Sequence, residues 1–364
     1  MDNASTSFPK PKEVSDSIAN YIRNIGTIPS SGYANRQEVL CRDILESCRT
    51  DLGLLIGAST QEPIILTTGA TEALYRVMRT VRVGDKIVVS KADSAPITRT
   101  ARELGKEGVL IVEVGFDPEN GVNLKQLEKA LSGSKMLTLS HASNITGAII
   151  PVEEIAKMCK KHHVAFVLDV SHTIGVVPMS VKQLGADVLI FSGHKHLMGP
   201  TGTGGAYISD SFADELRRSK GQNIRDSMEF GTPNVAGFAG LLAGLKLVKA
   251  EGVNRMRQHN RSLRESLQGA FDMCKGLKIL APDVSNGVCI ISFLVPDLPP
   301  NTAARLLEER YGCIVGNGLM GNAGAQEMLG AFPLGSLRVS LGFFNTISDV
   351  EYLGTSLSRL MNGK

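Results

Sequence analysis

A lysine and an aspartate, each at the end of a short apolar run, are the residues of this sequence best suited to chemistry. Asp169 ends the run Val164–Asp169, and Lys195 stands just beyond the run Asp187–Phe191. If both runs are parallel strands of one sheet, their carboxyl ends open into one crevice. A lysine there can condense with an aldehyde cofactor, and a carboxylate can keep a pyridinium nitrogen protonated. Singly they fit a surface lysine and a strand-end cap, but together they indicate a pyridoxal 5′-phosphate (PLP) site with Lys195 as the Schiff-base lysine.

A second segment, Thr67-Thr-Gly-Ala-Thr-Glu-Ala-Leu, is suited to binding a phosphate. It follows the first predicted strand and opens a predicted helix, where free backbone N–H groups and the helix dipole attract anions. Thr71 adds a hydroxyl donor. A capping box also begins a helix with Thr and Glu, so this pattern has a purely structural reading as well.

Arg338 lies in an otherwise apolar run, Leu337-Arg-Val-Ser-Leu-Gly. A buried guanidinium without a partner is costly, so a partner is expected. Two partners fit: a carboxylate of the protein in an internal salt bridge, or the carboxylate of a substrate held by the forked guanidinium. The sequence leaves both open.

The glycine-rich segment Gly199-Pro-Thr-Gly-Thr-Gly-Gly raises the possibility of a dinucleotide site. That fingerprint requires a strand, a glycine turn and then a helix. Here the glycines lead into an apolar run, Gly204–Ile208, that predicts a strand. We therefore reject the dinucleotide interpretation.

The elements that must position these residues alternate between short β-rich runs and amphipathic helical stretches. Seven runs predict strands, at Pro63–Thr67, Lys86–Ser90, Val109–Val114, Met136–Ser140, Val164–Asp169, Asp187–Phe191 and Gly204–Ile208. Continuous apolar strands separated by helices are typical of an α/β protein with a seven-stranded, mostly parallel sheet covered by helices on both faces.

A smaller α+β domain is predicted to follow. A long helical stretch from about Val235 to Met273 leads to strands near Gly287–Phe293 and Ser336–Leu341, and the helix Ile347–Met361 closes the chain. We predict a large cofactor-binding domain over residues 1–245 and a small domain over 246–364. The first ~24 residues are expected to pack near the small domain.

Composition and charge exclude several classes of protein. The net charge of +3 comes from 39 basic and 36 acidic residues mixed along the chain, which gives no reason to expect nucleic-acid or membrane binding. No signal peptide or membrane-spanning run is recognised. The 6 cysteines include no CxxC pair, so we expect free thiols in a cytoplasmic protein and no metal site.

Long motifs along nearly the whole chain resemble class V aminotransferases of the cysteine desulfurase and selenocysteine lyase group, and most closely their short, anaerobe-type branch. The motifs are Asp2-Asn-Ala-Ser-Thr-Ser-Phe-Pro-Lys-Pro, Gly69-Ala-Thr-Glu-Ala-Leu, Ser140-His-Ala-Ser-Asn-Ile-Thr-Gly, Ser192-Gly-His-Lys, Glu229-Phe-Gly-Thr-Pro-Asn and Arg338-Val-Ser-Leu-Gly. The resemblance implies PLP fold type I.

The resemblance also implies roles for individual residues. Lys195 would bond the cofactor, Asp169 would pair with its ring nitrogen, and His172 would contact its phenolic oxygen. The other implied cofactor-binding positions are Ala70, Thr71, Ser94, Ser192, His194 and Thr232. Of these, Thr232 matches a residue that reaches the neighbouring subunit's phosphate, which implies a homodimer. Asn144 and Arg338 match the groups that bind the substrate amino acid.

Departures from the family pattern concern the sulfur chemistry. Gly321 stands where the family has its catalytic cysteine, and Gly316 replaces an arginine of the same segment. Ser94 stands where the family has a histidine that stacks on the cofactor ring. The segment between Ile208 and Glu229 is shorter than usual.

These observations favour a PLP-dependent enzyme, a lyase or transferase, that acts on a small α-amino acid. The expected reaction is β-elimination or transamination without a persulfide on the protein. The alternative is a protein that keeps the fold and serves as a binding or regulatory partner without turnover. The substrate amino acid stays open, because the residues that would contact its side chain lie in the altered segments.

Overall fold

The larger of the two sheets has seven strands, and it lies in the predicted large domain. The computed structural model describes residues 1–29, 35–59, 62–118, 121–220 and 224–363, without the side chains of 219 and 220. The strands are β1 Ile64–Thr67, β2 Lys86–Ser90, β3 Leu110–Val114, β4 Met136–Ser140, β5 Ala165–Asp169, β6 Val188–Ser192 and β7 Gly204–Ile208. Their order is β1-β7-β6-β5-β4-β2-β3, and of these seven strands β7 alone runs opposite to the other six. The predicted seven-stranded, mostly parallel sheet is confirmed.

Helices cover both faces of this sheet, which explains why its strands are apolar without alternation. They are α1 Lys12–Asn24, α2 Arg36–Leu55, α3 Ala70–Met78, α4 Ala95–Lys106, α5 Leu124–Leu131, α6 Val152–His162, α7 Val181–Leu184, α8 Asp210–Lys220, α9 Ile224–Met228 and α10 Val235–Glu251. Phe166 and Leu168 point into the hydrophobic core on one face, and Val167 between them points into the core on the other. Each strand therefore contributes to two cores.

A smaller antiparallel sheet follows, in the order β10-β11-β9-β8. Its strands are β8 Lys278–Leu280, β9 Ile290–Leu294, β10 Gly316–Gly318 and β11 Ser336–Ser340, and its helices are α11 Val253–Asp272, α12 Pro300–Tyr311, α13 Ala323–Met328 and α14 Ile347–Met361. The two predicted strands correspond to β9 and β11. The helical stretch predicted from Val235 to Met273 is two helices, because Gly252 adopts a positive φ of 79° and ends α10.

The residues before α1 connect this small sheet to the loop that carries Lys195. Asp2 forms a β-bridge with Ser340 at the end of β11. A few residues later, the backbone N–H of Ser7 donates to the carbonyl of His194 over 3.1 Å. The division at residue 245 stays a prediction. Among the described helices, none is long and apolar enough to cross a bilayer.

The glycine-rich segment considered as a dinucleotide site leads into β7, which is antiparallel to β1 and β6 and is not followed at once by a helix. Its Gly204 packs against the backbone of Gly69, where a Cβ would lie 2.7 Å from the Gly69 Cα. These glycines therefore allow close backbone packing beside the start of α3.

The loop after β6 rests directly on α10. A Cβ at Gly244 would lie 2.3 Å from the carbonyl oxygen of Leu197, two residues beyond Lys195. Any side chain at this position would push the helix and the lysine loop apart.

We therefore expect Gly244→Ala to destabilise the protein by about 2 kcal/mol, because overpacking a rigid core outweighs the better helix propensity of alanine. Gly269→Ala is the matched control. It lies in α11, where a Cβ would have no neighbouring atom within 4 Å, so it should be neutral or stabilising by up to ~1 kcal/mol. Urea unfolding of both variants measures the difference, and equal stabilities would contradict the packing argument.

Candidate active site

A cavity of about 530 Å³ lies at the carboxyl ends of the large sheet. Its walls come from the N-terminal segment, the strand ends, the start of α3, the loop after β10 and β11. The residues that line it are Asp2, Ala4, Ser5, Ala70, Thr71, Ser94, Ala95, Pro96, Asn144, Asp169, Ser171, His172, Ser192, His194, Lys195, Val315, Gly316, Asn317, Met320, Gly321 and Arg338. All the predicted site residues except Thr232 line this cavity.

A larger groove, of about 790 Å³, lies at the opposite edge of the sheet, beside the first residues of β4, β5 and β6. It is lined by exposed lysines and glutamates and contains none of the predicted site residues. The smaller cavity is therefore the candidate active site, because its lining includes the predicted site residues and that of the larger groove does not.

The amino group of Lys195 lies 2.9 Å from Nε2 of His172. Burial lowers the pKa of Lys195 to about 8, and the negative charge of Asp169 opposes that shift. Burial and the neighbouring charge of Lys195 hold the pKa of His172 well below its usual value. The imidazole is therefore neutral and accepts a hydrogen bond from the lysine through Nε2.

Asp169 ends β5 with its side chain almost fully buried. Its Oδ1 accepts a hydrogen bond from the backbone N–H of Ser171 over 2.9 Å, which fixes the carboxylate at the floor of the cavity. A fixed carboxylate in this position is suited to pairing with a protonated ring nitrogen.

Asp93 is a second buried carboxylate near this floor, and the sequence analysis gave it no role. It accepts backbone N–H bonds from Ser90 over 2.9 Å and Ser140 over 2.8 Å, so it joins the ends of β2 and β4. Burial raises the pKa of Asp93 to about 7, and the charge of Asp169 adds to this. The signal in the sequence was an acidic residue just beyond a strand.

The start of α3 has no side-chain cap, so the capping box considered from the sequence is not formed. Glu72 accepts hydrogen bonds from the backbone N–H and the hydroxyl of Thr68, which precedes the N-cap residue Gly69. Thr71 faces the cavity. The first turn therefore keeps Thr71 and free backbone N–H groups for an anion.

Arg338 has a protein carboxylate as its partner. Its guanidinium lies 2.6 Å from Asp2 and also donates to Ser5 over 3.1 Å and to the carbonyl of Asn144 over 3.0 Å. Burial opposes ionisation of Asp2, but the Arg338 charge and the Ser5 hydroxyl hold the pKa of Asp2 below its usual value. The internal salt bridge considered from the sequence is present, and substrate binding by Arg338 stays a prediction.

Gly316 faces this ion pair from β10. A Cβ there would lie 3.0 Å from the Asp2 carboxylate and 3.3 Å from Nε of Arg338. The position has little room for the arginine that the family pattern places in this segment.

Four buried polar atoms around the cavity have no hydrogen-bond partner within the described part of the chain: Ser94 Oγ, His172 Nδ1, His194 Nδ1 and Arg338 Nε. Because buried polar atoms are nearly always paired, such a cluster indicates a ligand-binding site. At least His172 Nδ1 and Arg338 Nε carry hydrogens, so each needs an acceptor oxygen as its partner. A phosphorylated pyridine with a phenolic oxygen fits these atoms.

The described cavity lining includes no cysteine, and all 6 cysteines of the chain are buried and free. Gly321 contributes only backbone to the cavity wall. Cys313 is the nearest cysteine in sequence, and burial raises the pKa of its thiol. Thr232 lies on an exposed turn and lines a different cavity, with Arg49 and Glu229.

Comparison with known proteins establishes the family. The sequence profile of the aminotransferase class-V family matches residues 1–353. The chain belongs to this family. Among curated class-V relatives, a probable cysteine desulfurase of Pyrococcus abyssi is 29% identical over 97% of this chain and 92% of its own length. One from Methanothermobacter thermautotrophicus is 27% identical over 99% of this chain and 94% of its own length.

A solved structure gives the same result. The apo cysteine desulfurase of Thermococcus onnurineus superposes with a TM-score of 0.90 at 27% identity, over 100% of this chain and 94% of that one. The resemblance to class V aminotransferases and the fold are thereby confirmed. Membership of this class-V family identifies the chain as a PLP-dependent enzyme and leaves its reaction to be determined.

The lowered pKa of Lys195 predicts how capture of PLP depends on pH, because only the unprotonated amine attacks an aldehyde. The rate at which cofactor-free protein takes up PLP should rise about tenfold per pH unit below pH 8 and level off near the pKa of about 8. A simple alkylamine keeps rising to about 10.4. Stopped-flow absorbance measures both.

Lys195→Ala is the control and should form neither the visible Schiff-base band nor the permanent bond to the cofactor that borohydride reduction of the Schiff base gives. A wild-type rate that follows the alkylamine up to pH 10 would contradict the burial argument.

Proposed function

We propose that this protein binds PLP at Lys195 and acts on a small α-amino acid by β-elimination or transamination, without a persulfide on the enzyme. The observation that supports this most is the convergence of Lys195, Asp169 and the start of α3 on one cavity whose described lining has no thiol. The curated relatives named cysteine desulfurase support an amino-acid substrate.

When bound, PLP would supply an electron sink for the bonds at the substrate Cα. Lys195 would hold the cofactor and, once released by the substrate amine, move the Cα proton. An amine with a pKa of about 8 is suited to that task near neutral pH. His172 orients the lysine through the 2.9 Å hydrogen bond and stays neutral beside it.

Arg338 would bind the substrate carboxylate while keeping Asp2 as its counter-ion. Nε of Arg338 has no partner in the described part of the chain, and Arg338 lines the cavity. An incoming carboxylate would meet this N–H beside an already fixed guanidinium. Because the guanidinium carries five N–H groups, it can keep the Asp2 and Asn144 bonds and still donate its Nε–H to a ligand.

A persulfide requires a thiolate within reach of the substrate sulfur. Gly321 has no side chain, and its positive φ of 68° is one that L side chains rarely adopt. A Cβ there would meet Ala95 at 3.4 Å, an ordinary contact, so the backbone is the greater obstacle to a cysteine at this position. Cys313 is buried with a raised pKa, which makes it a poor nucleophile.

Incubation of the loaded enzyme with cysteine, cystine or selenocysteine should therefore give pyruvate or another keto acid, with any sulfide released free. Intact-protein mass should not increase by one sulfur atom. Mass spectrometry, a keto-acid assay and a sulfide assay follow the three outcomes.

Alanine as the product, together with one added sulfur that maps to Cys313, would overturn the proposal. Gly321→Cys serves as the comparison, and any alanine that it forms would show that the cavity still admits the family reaction. A loaded protein that turns over no amino acid at all would favour the binding role instead.

We also propose a homodimer in which Thr232 completes the partner's site. Its turn is exposed, and the neighbouring Phe230 is 65% exposed with Arg76 over its ring at 4.4 Å. Closed symmetric dimers are the commonest soluble assembly, and an exposed aromatic beside a polar turn suits such an interface.

Light scattering of the loaded protein should accordingly give about twice the chain mass of 38.9 kDa. Phe230→Asp should shift the population toward monomer and weaken PLP retention, because the Thr232 hydroxyl is then lost from the partner's site. Phe344→Asp, at an exposed position of the small domain, is the control. A monomer that is loaded with PLP and active at working concentration would contradict the proposed homodimer.

A further inference from the structure

Asn322 ends the loop after β10 and is buried, with 3% of its surface exposed. Its Nδ2 donates to the carbonyl of Ala92 over 2.7 Å and to Oδ1 of Asn144 over 2.8 Å. Its Oδ1 accepts the backbone N–H of Ala325 over 3.1 Å, which caps α13. One side chain thus joins a helix of the small domain to two segments of the large domain.

The bonds to Asn144 determine which way its amide faces. Oδ1 of Asn144 must face Asn322, which donates there, and Nδ2 must face the carbonyl of Met320, which accepts over 3.0 Å. If the amide were flipped, Nδ2 of Asn144 would face the donor Nδ2 of Asn322, and Oδ1 of Asn144 would face the carbonyl oxygen of Met320. One N–H of Asn144 is left for a ligand in the cavity.

The same contacts hold the loop over the cavity. At its start, Gly316 and Gly318 pair with β11, opposite Arg338 and Ser336. At its end, Gly324 approaches the backbone so closely that a Cβ would lie 1.8 Å from the carbonyl oxygen of Lys91. Between these two anchors, Met320 and Gly321 form part of the cavity wall.

We propose that Asn322 is a positioning residue that fixes the loop of residues 319–322 as a closed wall of the active site and sets the direction of the Asn144 amide toward the substrate. This rests on the proposed function, since it assigns Asn144 to the amino acid. The loop is a rigid wall, and the single remaining N–H of Asn144 acts with Arg338 on the substrate side of the cavity.

Asn322→Asp separates the two functions of the side chain. Aspartate caps a helix as well as asparagine does, so α13 keeps its cap. Both N–H donors are lost, and a carboxylate oxygen then faces the oxygens of Ala92 and Asn144. Asn123→Asp is the matched control, because Asn123 caps α5 in the same way through the N–H of Gln126 over 3.0 Å and lies outside the cavity lining.

Two measurements test the proposal. In cofactor-free protein, hydrogen exchange of residues 316–329 should be about tenfold faster in Asn322→Asp than in wild type, because two hydrogen bonds of the closed loop are lost. In loaded protein, the visible band should keep its position while the KM for L-cysteine rises about tenfold and kcat changes less. Asn123→Asp should change neither exchange in 316–329 nor KM.

Unchanged exchange in Asn322→Asp would overturn the closed wall, and faster exchange with unchanged KM would overturn the positioning of Asn144. If the buried carboxylate prevents folding, Asn322→Ser keeps an uncharged cap and is held to the same two outcomes. If wild type does not turn over L-cysteine, KM is measured with an amino acid that it does turn over. If it turns over none, the proposed function has failed, and the exchange measurement still decides whether Asn322 holds the loop.

Discussion

The burial of the Lys195 amino group is the constraint on which the rest of the site depends. Taking an ammonium out of water lowers its pKa to about 8, and the adjacent His172 is a neutral acceptor that adds no negative charge. The opposing charge comes from Asp169 at the end of the neighbouring strand, and more weakly from Asp2. The lysine is therefore reactive near neutral pH and still fixed by a hydrogen bond. Both properties follow from its place just beyond β6.

That position is stable only because chain segments far apart in sequence close around it. The carbonyl of His194 accepts bonds from Ser7 and from Lys10, whose Nζ lies 2.7 Å away, so the N-terminal segment holds the lysine loop in place. Asp2, on the same segment, pairs with Arg338. The lysine and the arginine are thus fixed relative to each other by one short stretch of chain. The lysine loop also packs against α10, where Leu197 lies beside Gly244.

The sequence predicted the parts of this arrangement that depend on local pattern. Strand ends, and with them Asp169, follow from apolar runs, and the cavity follows because parallel strands share one edge. The pairing of Asp2 with Arg338 joins residues that are 336 positions apart, so no local pattern records it. The strand β10 is only Gly-Asn-Gly, which has neither apolar alternation nor β-branched residues. Asn322 resembles any helix cap in sequence, and its two further bonds, to Ala92 and Asn144, join residues that are 230 and 178 positions apart.

Gly321 and the closed loop that carries it fit the proposed reaction, in which the enzyme forms no persulfide. A thiol that transfers sulfur must reach the substrate and then an acceptor, which requires a loop able to leave the site. Here Asn322 and Gly324 hold the loop of residues 319–322 against Ala92 and Lys91. Gly316 has no side chain, and the Asp2–Arg338 pair occupies the space beside it. The loop therefore lies close to Arg338 and adds no nucleophile there. The reaction that we propose for such a site therefore uses Lys195 and its cofactor without a protein thiol.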